Sequence, residues 1–259
     1  MNLRRQLEYV FDLGRYFGWV TTIKLMLSRL RGGSSVCKLQ IHGAPHPISI
    51  RVGKTSDLWV VWQCYIRRSG SQTRAFDWLK DPQWVVDCGA NIGCVSLNLL
   101  NRFPKVHLIA IEPDPGNFGI LQDNLGPYGD RVRLVNAAVL GRCGTVDITE
   151  SSDDGREWAR RVVSSTEGSI KAIDLEVVLS MCGGTIDLLK VDIEGSELSV
   201  FSEDPHRWLF HVRNIAIELH GEECDRAFFG ALHSSMYEQD ASGELVLIKN
   251  LRGITEKSV

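Results

Sequence analysis

The chain has 259 residues, with 29 Lys and Arg against 32 Asp and Glu, and a formal charge of −3 when histidines are neutral. This near-balance of charge argues against a general nucleic-acid binder. Residues 16–27 form the most apolar N-terminal stretch but contain polar side chains, and the seven cysteines show no zinc-type spacing. We therefore expect a cytoplasmic protein with reduced thiols and without a transmembrane segment.

The first 31 residues carry six basic residues against two acidic ones, interleaved with apolar residues at helical spacing. This pattern predicts a basic helix that ends at Gly32-Gly33 and packs its apolar face on the domain. The alternative is a helix that docks on a membrane surface or on a partner. A small hairpin over residues 37–52 and a helix over residues 57–66 complete a predicted N-terminal lead-in of residues 1–80.

Short apolar stretches alternate with helical segments after Pro82, which predicts an α/β fold with a mainly parallel sheet and helices on both faces. The predicted strands cover residues 84–87, 108–112, 132–139, 186–191 and 215–219. One predicted helix follows Gly89, and a second begins at the Asp114-Pro115 cap and ends at Gly126-Pro127. Residues 141–184 interrupt the pattern. We therefore expect a domain of residues 81–259 with an irregular or hairpin-containing insertion at 141–184.

An apolar strand leads directly into a Gly-rich turn in residues 85–93, VVDCGANIG. Such a turn lets a ligand approach the backbone and directs helix N–H groups toward it. Asn91 takes the place of the middle glycine of a dinucleotide fingerprint, and Asp87 adds a negative charge, so both residues disfavour NAD. Glu112 ends the second strand, where a carboxylate can accept the protons of ribose hydroxyls. A cofactor with a ribose and a positive centre but no pyrophosphate fits this set, and S-adenosylmethionine has this chemistry.

The cofactor is expected at the carboxyl ends of the first three strands. The turn would hold its amino-acid part, Glu112 its ribose, and the residues after the third strand its adenine. The predicted cofactor-binding residues are Asp87, Gly89, Ala90, Asn91, Gly93, Glu112, Asn136 and Ala137.

Four motifs resemble those of the FkbM-type S-adenosylmethionine-dependent methyltransferases. They lie at residues 86–93, 109–115, 117–124 and 186–197, and the K-x-D-x-E-G-x-E pattern in the last is the most specific. The resemblance covers about residues 50–220. It implies a Rossmann-like class I methyltransferase fold, whose largely parallel seven-stranded sheet ends in an antiparallel hairpin with residues 246–249 as the last strand. It also implies a hydroxyl acceptor on a sugar, a glycolipid or a secondary metabolite.

Two polar clusters follow the fourth and fifth predicted strands, at the sheet edge where substrates of open α/β folds bind. The first contains Asp192, Glu194 and Glu197, and the second contains Glu218 and His220. A carboxylate beside an imidazole can form a general base with its orienting partner. His220 is the preferred base, with Asp192 or Glu194 next and Glu218 as a further catalytic residue.

The same side chains could bind a hard divalent ion, but no metal site is predicted, because the sequence shows no coordination geometry. Lys190 is expected to form an ion pair with Asp87, Glu112 or Asp192.

The leading hypothesis is an O-methyltransferase that acts on the hydroxyl of a small molecule or a glycan and has no nucleic-acid partner. An NAD(P)-dependent oxidoreductase is the alternative enzyme. A cofactor-binding module without catalysis, docked on a membrane or partner through residues 1–31, is the alternative outside enzymes.

Overall fold

The computed structural model of the chain describes residues 3–30, 35–53, 55–67, 72–150, 160–164 and 169–253. The α-helices are α1 (Leu3–Phe17), α2 (Trp19–Leu30), α3 (Asp57–Val61), α4 (Cys94–Arg102), α5 (Pro115–Leu125), α6 (Leu175–Met181), α7 (Glu197–Ser202), α8 (His206–Leu209) and α9 (Glu222–Ala231). The strands are β1 (Ser35–Leu39), β2 (Ile48–Val52), β3 (Trp84–Cys88), β4 (His107–Ile111), β5 (Val132–Val135), β6 (Ala138–Val139), β7 (Gly144–Glu150), β8 (Arg160–Ser164), β9 (Ile170–Ile173), β10 (Leu188–Val191), β11 (Ile215–Glu218), β12 (Ser235–Ser242) and β13 (Leu245–Gly253). A π-helical turn covers Trp62–Ile66, and 3₁₀ turns cover Gln72–Phe76 and Gly126–Arg131.

A seven-stranded sheet forms the centre of the fold, in the order β12-β13-β11-β10-β3-β4-β5. The strands from β11 to β5 are parallel, and β12 and β13 add an antiparallel hairpin at one edge. The chain builds outward from β3 through β4 and β5, and then returns across the sheet to β10 and β11. The winding therefore reverses between β3 and β10, and open α/β sheets bind ligands in the crevice at such a point. The predicted parallel sheet with a final antiparallel hairpin is confirmed.

Both faces of this sheet are covered, because successive side chains of a strand point to opposite faces. Val85 of β3 joins a core that includes Leu121 of α5, whereas the next residue, Val86, joins a core that includes Phe228 of α9. Continuously apolar strands are typical of a sheet buried on both faces. The predicted helices on both faces of the sheet are therefore confirmed.

The N-terminal lead-in packs into the first of these two cores. Leu13 of α1, Ile50 of β2 and Trp62 are fully buried in the same cluster as Val85. The predicted hairpin is present as the antiparallel pair of β1 and β2. The helix predicted for residues 57–66 is present as α3 continued by the π-helical turn. The boundary between lead-in and domain stays a prediction, since the two parts share one core.

The basic helical segment expected within residues 1–31 is present as two helices, α1 and α2. Gly18 separates α1 from α2 with a φ of 83°, in the left-handed region that glycine adopts without strain. The predicted end at Gly32-Gly33 lies outside the described residues. Within the described residues, no helix combines the length and apolar character needed to cross a membrane.

The single strand expected for residues 132–139 is wrong. β5 joins the central sheet, whereas β6 pairs with β9 in a second sheet of order β6-β9-β7-β8. The amide group of Asn136 lies between these strands and donates to the carbonyls of Glu112 and Pro113. These bonds stabilise the change of direction. In the insertion at 141–184, β7 and β8 form the expected hairpin.

Candidate active site

The turn after β3 is held by left-handed residues and by hydrogen bonds to the neighbouring strand. Gly89, Asn91 and Gly93 have φ angles of 76°, 52° and 88°. The backbone N–H groups of Gly89 and Ala90 each donate to the carbonyl of Ile111, at 3.0 Å. The carboxyl ends of β3 and β4 are thereby joined at the crevice of the sheet.

Glycine is required at position 89, because the turn touches the end of β10 there. A Cβ atom at Gly89 would lie 1.8 Å from the carbonyl oxygen of Asp192. The N–H of Asp192 in turn donates to the carbonyl of Cys88 at 3.1 Å. The Gly-rich turn and the first acidic cluster are thus in direct backbone contact.

Glu112, directly after β4, accepts hydrogen bonds with both carboxylate oxygens. Oε2 accepts from the N–H of Asn91 at 2.8 Å, and Oε1 accepts from the N–H of Asp114 at 3.0 Å and from Nδ2 of Asn117 at 3.4 Å. Burial raises the pKa of Glu112 to about 7, against the lowering effect of these donors. A carboxylate oxygen can accept two hydrogen bonds. Among the described residues, Oε2 accepts one hydrogen bond, so it can accept a second one from a hydroxyl.

Asn136 and Ala137 follow β5 beside Glu112. The Asn136 side chain donates to the carbonyl of Glu112 at 2.8 Å and to that of Pro113 at 3.1 Å. Ala137 is buried in the second core. The structure therefore brings these residues to the predicted edge of the sheet, whereas their contact with an adenine ring stays a prediction.

Asp87 lies beneath the Gly-rich turn and is fully buried. Its Oδ2 accepts a hydrogen bond from Oγ of Ser96 at 2.6 Å, and its Oδ1 lies 3.1 Å from Nζ of Lys190. The prediction that this carboxylate faces a ligand at short range is wrong, because Asp87 has no exposed surface. Asp87 can therefore affect a ligand only indirectly, through Ser96 and Lys190, which it contacts.

Lys190 connects the turn to the acidic cluster. Its Nζ donates to the carbonyl of Gly89 at 2.9 Å and lies 3.6 Å from Oδ2 of Asp192. Burial acts to lower the pKa of Lys190, but the charges of Asp87 and Asp192 outweigh it and raise the pKa. Of the three carboxylates expected as partners, the structure thus gives an ion pair with Asp87 and with Asp192.

A partly buried contact joins His220, after β11, to Glu197 at the start of α7. Nδ1 of His220 lies 3.0 Å from Oε1 of Glu197. Glu197 is fully buried and also accepts hydrogen bonds from the N–H groups of Ile193, at 3.1 Å, and Gly195, at 2.8 Å. Burial acts to raise the pKa of Glu197, but the hydrogen bond and charge of His220 lower it. Glu197 therefore orients both the imidazole and the loop after β10.

The other nitrogen of His220 faces two further carboxylates. Nε2 lies 3.5 Å from Oε2 of Glu194 and 3.8 Å from Oε1 of Glu218. Burial acts to lower the pKa of His220, but Glu197, together with the charges of Glu194 and Asp192, raises it to about 9. The imidazole is therefore protonated at neutral pH and has no free nitrogen to accept another proton.

The carboxylates around His220 are better matched to proton transfer near neutral pH. Burial, followed by the charge of Asp192, raises the pKa values of Glu194 and Glu218 to about 7 in each case. A general base is most effective when its pKa lies close to the working pH. These values move the preference for a base from His220 to Glu194 and Glu218.

Asp192, Glu218 and His220 each offer one donor atom, and these atoms lie within 4.8 Å of one another. Carboxylate oxygens and imidazole nitrogen can bind divalent ions. However, the ammonium of Lys190 and the protonated imidazole already bring positive charge to these carboxylates. The absence of a metal site stays a prediction.

The structure thus brings the predicted residues into two adjoining groups. Residues at the ends of β3, β4 and β5 form the expected cofactor group, and residues after β10 and at the end of β11 form the candidate catalytic group. Glu197 is the member of the acidic cluster to which sequence reasoning gave no role. The available signal was its place as the last residue of K-x-D-x-E-G-x-E, directly after the turn that it organises.

This sheet order, with a Gly-rich turn after its first strand and a carboxylate directly after its second, defines a class I methyltransferase fold. The profile of the Methyltransferase FkbM domain matches residues 87–242, which is more than half of the chain and includes both groups of site residues. The chain belongs to the FkbM methyltransferase family.

Curated relatives share part of this sequence. The 2-O-methyltransferase NoeI of Sinorhizobium fredii is 29% identical over 136 residues, which are 46% of this chain and 56% of that protein. Methyltransferase sdnD of Sordaria araneosa is 29% identical over 176 residues, which are 54% of this chain and 67% of that protein. The match thus spans little more than half of NoeI. The crystal structure of methyltransferase FkbM from Methylobacillus flagellatus is similar over 92% of this chain and 60% of that chain, with 18% identity and a TM-score of 0.49.

Proposed function

We propose that this protein is an S-adenosylmethionine-dependent O-methyltransferase that acts on a hydroxyl of a sugar, a glycolipid or a secondary metabolite. The observation that carries the proposal is the position of Lys190, whose ammonium contacts both the Gly-rich turn and Asp192. The expected cofactor turn and the proton-accepting groups therefore adjoin at one edge of the sheet. Membership of the methyltransferase family supports methyl transfer. The name of NoeI, a 2-O-methyltransferase, supports an oxygen acceptor.

The residues after β3, β4 and β5 fit S-adenosylmethionine by the chemistry of their donors and acceptors. The turn of residues 89–93 would hold the amino-acid part, Glu112 the ribose, and Asn136 with Ala137 the adenine. Support for the ribose contact comes from Oε2 of Glu112, which can accept a further hydrogen bond. When bound, this cofactor supplies a methyl group activated by a sulfonium centre.

The acidic cluster provides a place for the proton that a hydroxyl must lose. Methyl transfer breaks the carbon–sulfur bond, forms a carbon–oxygen bond and releases the hydroxyl proton. We assign that proton to Glu194 or Glu218, whose pKa values lie near 7. Burial and the charge of Asp192 keep these pKa values high, while Glu197 favours the protonated form of His220.

The lead-in of residues 1–80 and the domain of residues 81–259 are proposed as the two parts of the chain, with the insertion at 141–184 next to the acceptor. Contact between the insertion and α7 supports this arrangement, since the N–H of Gly141 donates to Oγ of Ser199 at 3.1 Å. The helix α7 also carries Glu197. The sequence of the insertion would therefore influence which acceptor fits.

A transfer assay tests the proposed chemistry. Purified protein is incubated with S-adenosylmethionine and a panel of hydroxyl-bearing glycans and metabolites, and mass spectrometry detects the added methyl group. In the double variant Glu194→Gln and Glu218→Gln, we expect a rate loss of about 10²- to 10⁴-fold, because a general base contributes on that order. Glu222→Gln, at an exposed position of α9, is the matched control and should keep its rate.

Full activity in the folded double variant would contradict the assignment of the proton to these carboxylates. Transfer to nitrogen or carbon acceptors alone would contradict O-methylation.

A further inference from the structure

The helices α1 and α2 expose an apolar surface on the side that faces away from the core. Its side chains are 48 to 70% exposed, and they belong to large apolar residues: Leu7, Phe11, Trp19, Val20, Ile23 and Leu27. Isolated exposed apolar residues are ordinary, whereas a contiguous patch of them indicates an interaction site. We call these six residues, which lie on the helical hairpin of α1 and α2, the hairpin patch.

The spacing of these residues makes the patch continuous. Leu7 and Phe11 are four positions apart on α1, and Trp19, Ile23 and Leu27 follow the same spacing on α2, so each helix presents one stripe. The rings of Phe11 and Trp19 meet edge to face, with centroids 5.7 Å apart. This contact joins the two stripes into one surface.

The opposite side of the same helices holds them to the domain. Tyr9, Leu13 and Leu25 are buried in the core, and Nε1 of Trp62 donates to Oδ2 of Asp12 at 3.1 Å. The segment therefore packs on the core with one face and leaves the other face free to dock, so both interpretations of residues 1–31 can hold. The hairpin patch is additional to the surface that packs on the domain.

Charge around the patch favours an anionic partner. Residues 1–31 carry six basic and two acidic side chains, whereas the rest of the chain carries 23 basic and 30 acidic ones. Exposed Arg4, Arg15, Lys24 and Arg29 lie on the two helices that carry the patch. The basic residues thus lie on the same two helices as the hairpin patch, and the net negative charge of the rest of the chain would be repelled by the same partner.

We propose that the hairpin patch binds an anionic lipid surface, with both helices lying in the plane of the interface. Aromatic and aliphatic side chains that enter the headgroup boundary, beside Arg and Lys that pair with anionic headgroups, are typical of interfacial helices. The longer helix, α1, has 15 residues and is about 22 Å long, too short to cross a hydrocarbon layer of about 30 Å. The helices therefore lie on the membrane.

Vesicle co-sedimentation of the full chain tests this proposal. The probes are vesicles of phosphatidylcholine alone and vesicles that contain about one quarter phosphatidylglycerol, whose negative surface attracts basic residues. We expect the unchanged chain to bind the anionic vesicles. The affinity should fall at least tenfold in the double variant Phe11→Gln with Ile23→Gln, and roughly fivefold in each of Arg15→Gln and Lys24→Gln. Higher salt should weaken binding.

The matched controls change residues of the same type elsewhere. Met236→Gln removes another exposed apolar side chain, and Arg226→Gln removes a basic side chain on α9. Both should bind the anionic vesicles like the unchanged chain, and all variants should unfold at the same temperature as it does.

Three results would overturn the proposal. The first is no sedimentation with anionic vesicles. The second is binding to neutral and anionic vesicles with equal affinity, together with no change of affinity in Arg15→Gln and Lys24→Gln. The third is a dimer in solution that Phe11→Gln with Ile23→Gln dissociates, without vesicle binding, since the patch would then be an interface between two copies of the chain.

Discussion

At the scale of single residues, Glu197 determines the charge of the candidate catalytic group. It is fully buried, accepts two backbone hydrogen bonds and contacts Nδ1 of His220. A buried carboxylate is costly unless it is paired. The partner that pairs it, a protonated His220, then faces Glu194 and Glu218, and it is these carboxylates whose pKa values lie near neutrality.

We expect His220 to make stability depend on pH. Its pKa rises from 6.5 to about 9 on folding, so the folded state favours the proton. The resulting stabilisation is fully present below pH 6.5 and is lost as the pH rises through 9; it amounts to roughly 3 kcal/mol, on the basis of 1.36 kcal/mol per pKa unit. Urea unfolding should show that the unchanged chain has a higher free energy of unfolding than His220→Gln at low pH. This advantage should disappear as the pH rises through 9. An advantage that stays constant with pH would contradict the ion pair with Glu197.

At the scale of elements, the turn between β3 and α4 is fixed by its contact with β10. The same contact sets the distance between the expected cofactor turn and the acidic cluster. Its determinants are the absent Cβ of Gly89, the left-handed backbone there, and the bond from Lys190 to the Gly89 carbonyl.

Gly89→Ala should destabilise the fold strongly, by more than about 3 kcal/mol, because its Cβ would lie 1.8 Å from a backbone oxygen that cannot move away easily. Gly183→Ala is the control for backbone conformation alone. Gly183 has a φ of 66° with open space around the Cβ position, so the cost should be about 1 to 2 kcal/mol. Gly144→Ala, which has open space and no positive φ, should be close to neutral. Urea unfolding gives all three values, and equal values for Gly89 and Gly183 would show that contact with β10 is unimportant.

At the scale of the whole molecule, the lead-in and the sheet share one core. Leu13 of α1 is fully buried in the cluster that contains Val85 of β3. Parts that share a core are expected to unfold together. The boundary proposed near residue 80 would then separate parts by sequence and function while leaving them cooperative in stability.

Leu13→Ala should lower the stability of the whole chain in a single transition, by about 2 to 5 kcal/mol, because it removes a fully buried side chain. Leu7→Ala, on the exposed side of the same helix, should change stability by less than about 0.5 kcal/mol. Differential scanning calorimetry distinguishes the two. A separate low-temperature transition that alone responds to Leu13→Ala would contradict the shared core.

Sequence reasoning could predict the central sheet because its signals are local. Apolar runs, the Asp114 cap and the turn around Gly89 each act over a few residues, and they predict that Glu112 and His220 lie at the carboxyl edge of the parallel sheet. The break at Gly18 and the change of direction at Asn136 were missed, because a glycine in a helical pattern and an Asn after a strand have several local solutions. At Asn136, the side-chain hydrogen bonds to the carbonyls of Glu112 and Pro113 select the change of direction.

The protonation states of the site residues could not be predicted from the sequence either. Asp87 was expected to face a ligand, and His220 was preferred as a free base. Burial and pairing with Lys190 and Glu197 decide both, and these contacts link residues that lie 103 and 23 positions apart. Motif spacing shows which residues meet at an edge but not which of them is buried beneath another.

Isothermal titration of the folded chain with S-adenosylmethionine tests whether the edge formed by β3, β4 and β5 holds this cofactor. We expect a single site that also binds the demethylated product. Binding should be at least tenfold weaker in Glu112→Gln, because glutamine has one acceptor oxygen and cannot accept from Asn91 and a ribose hydroxyl on one side and from Asp114 on the other. Glu176→Gln, on the exposed surface of α6, should bind like the unchanged chain. Absence of binding in the folded protein, or equal affinity in Glu112→Gln, would show that S-adenosylmethionine does not bind at this edge.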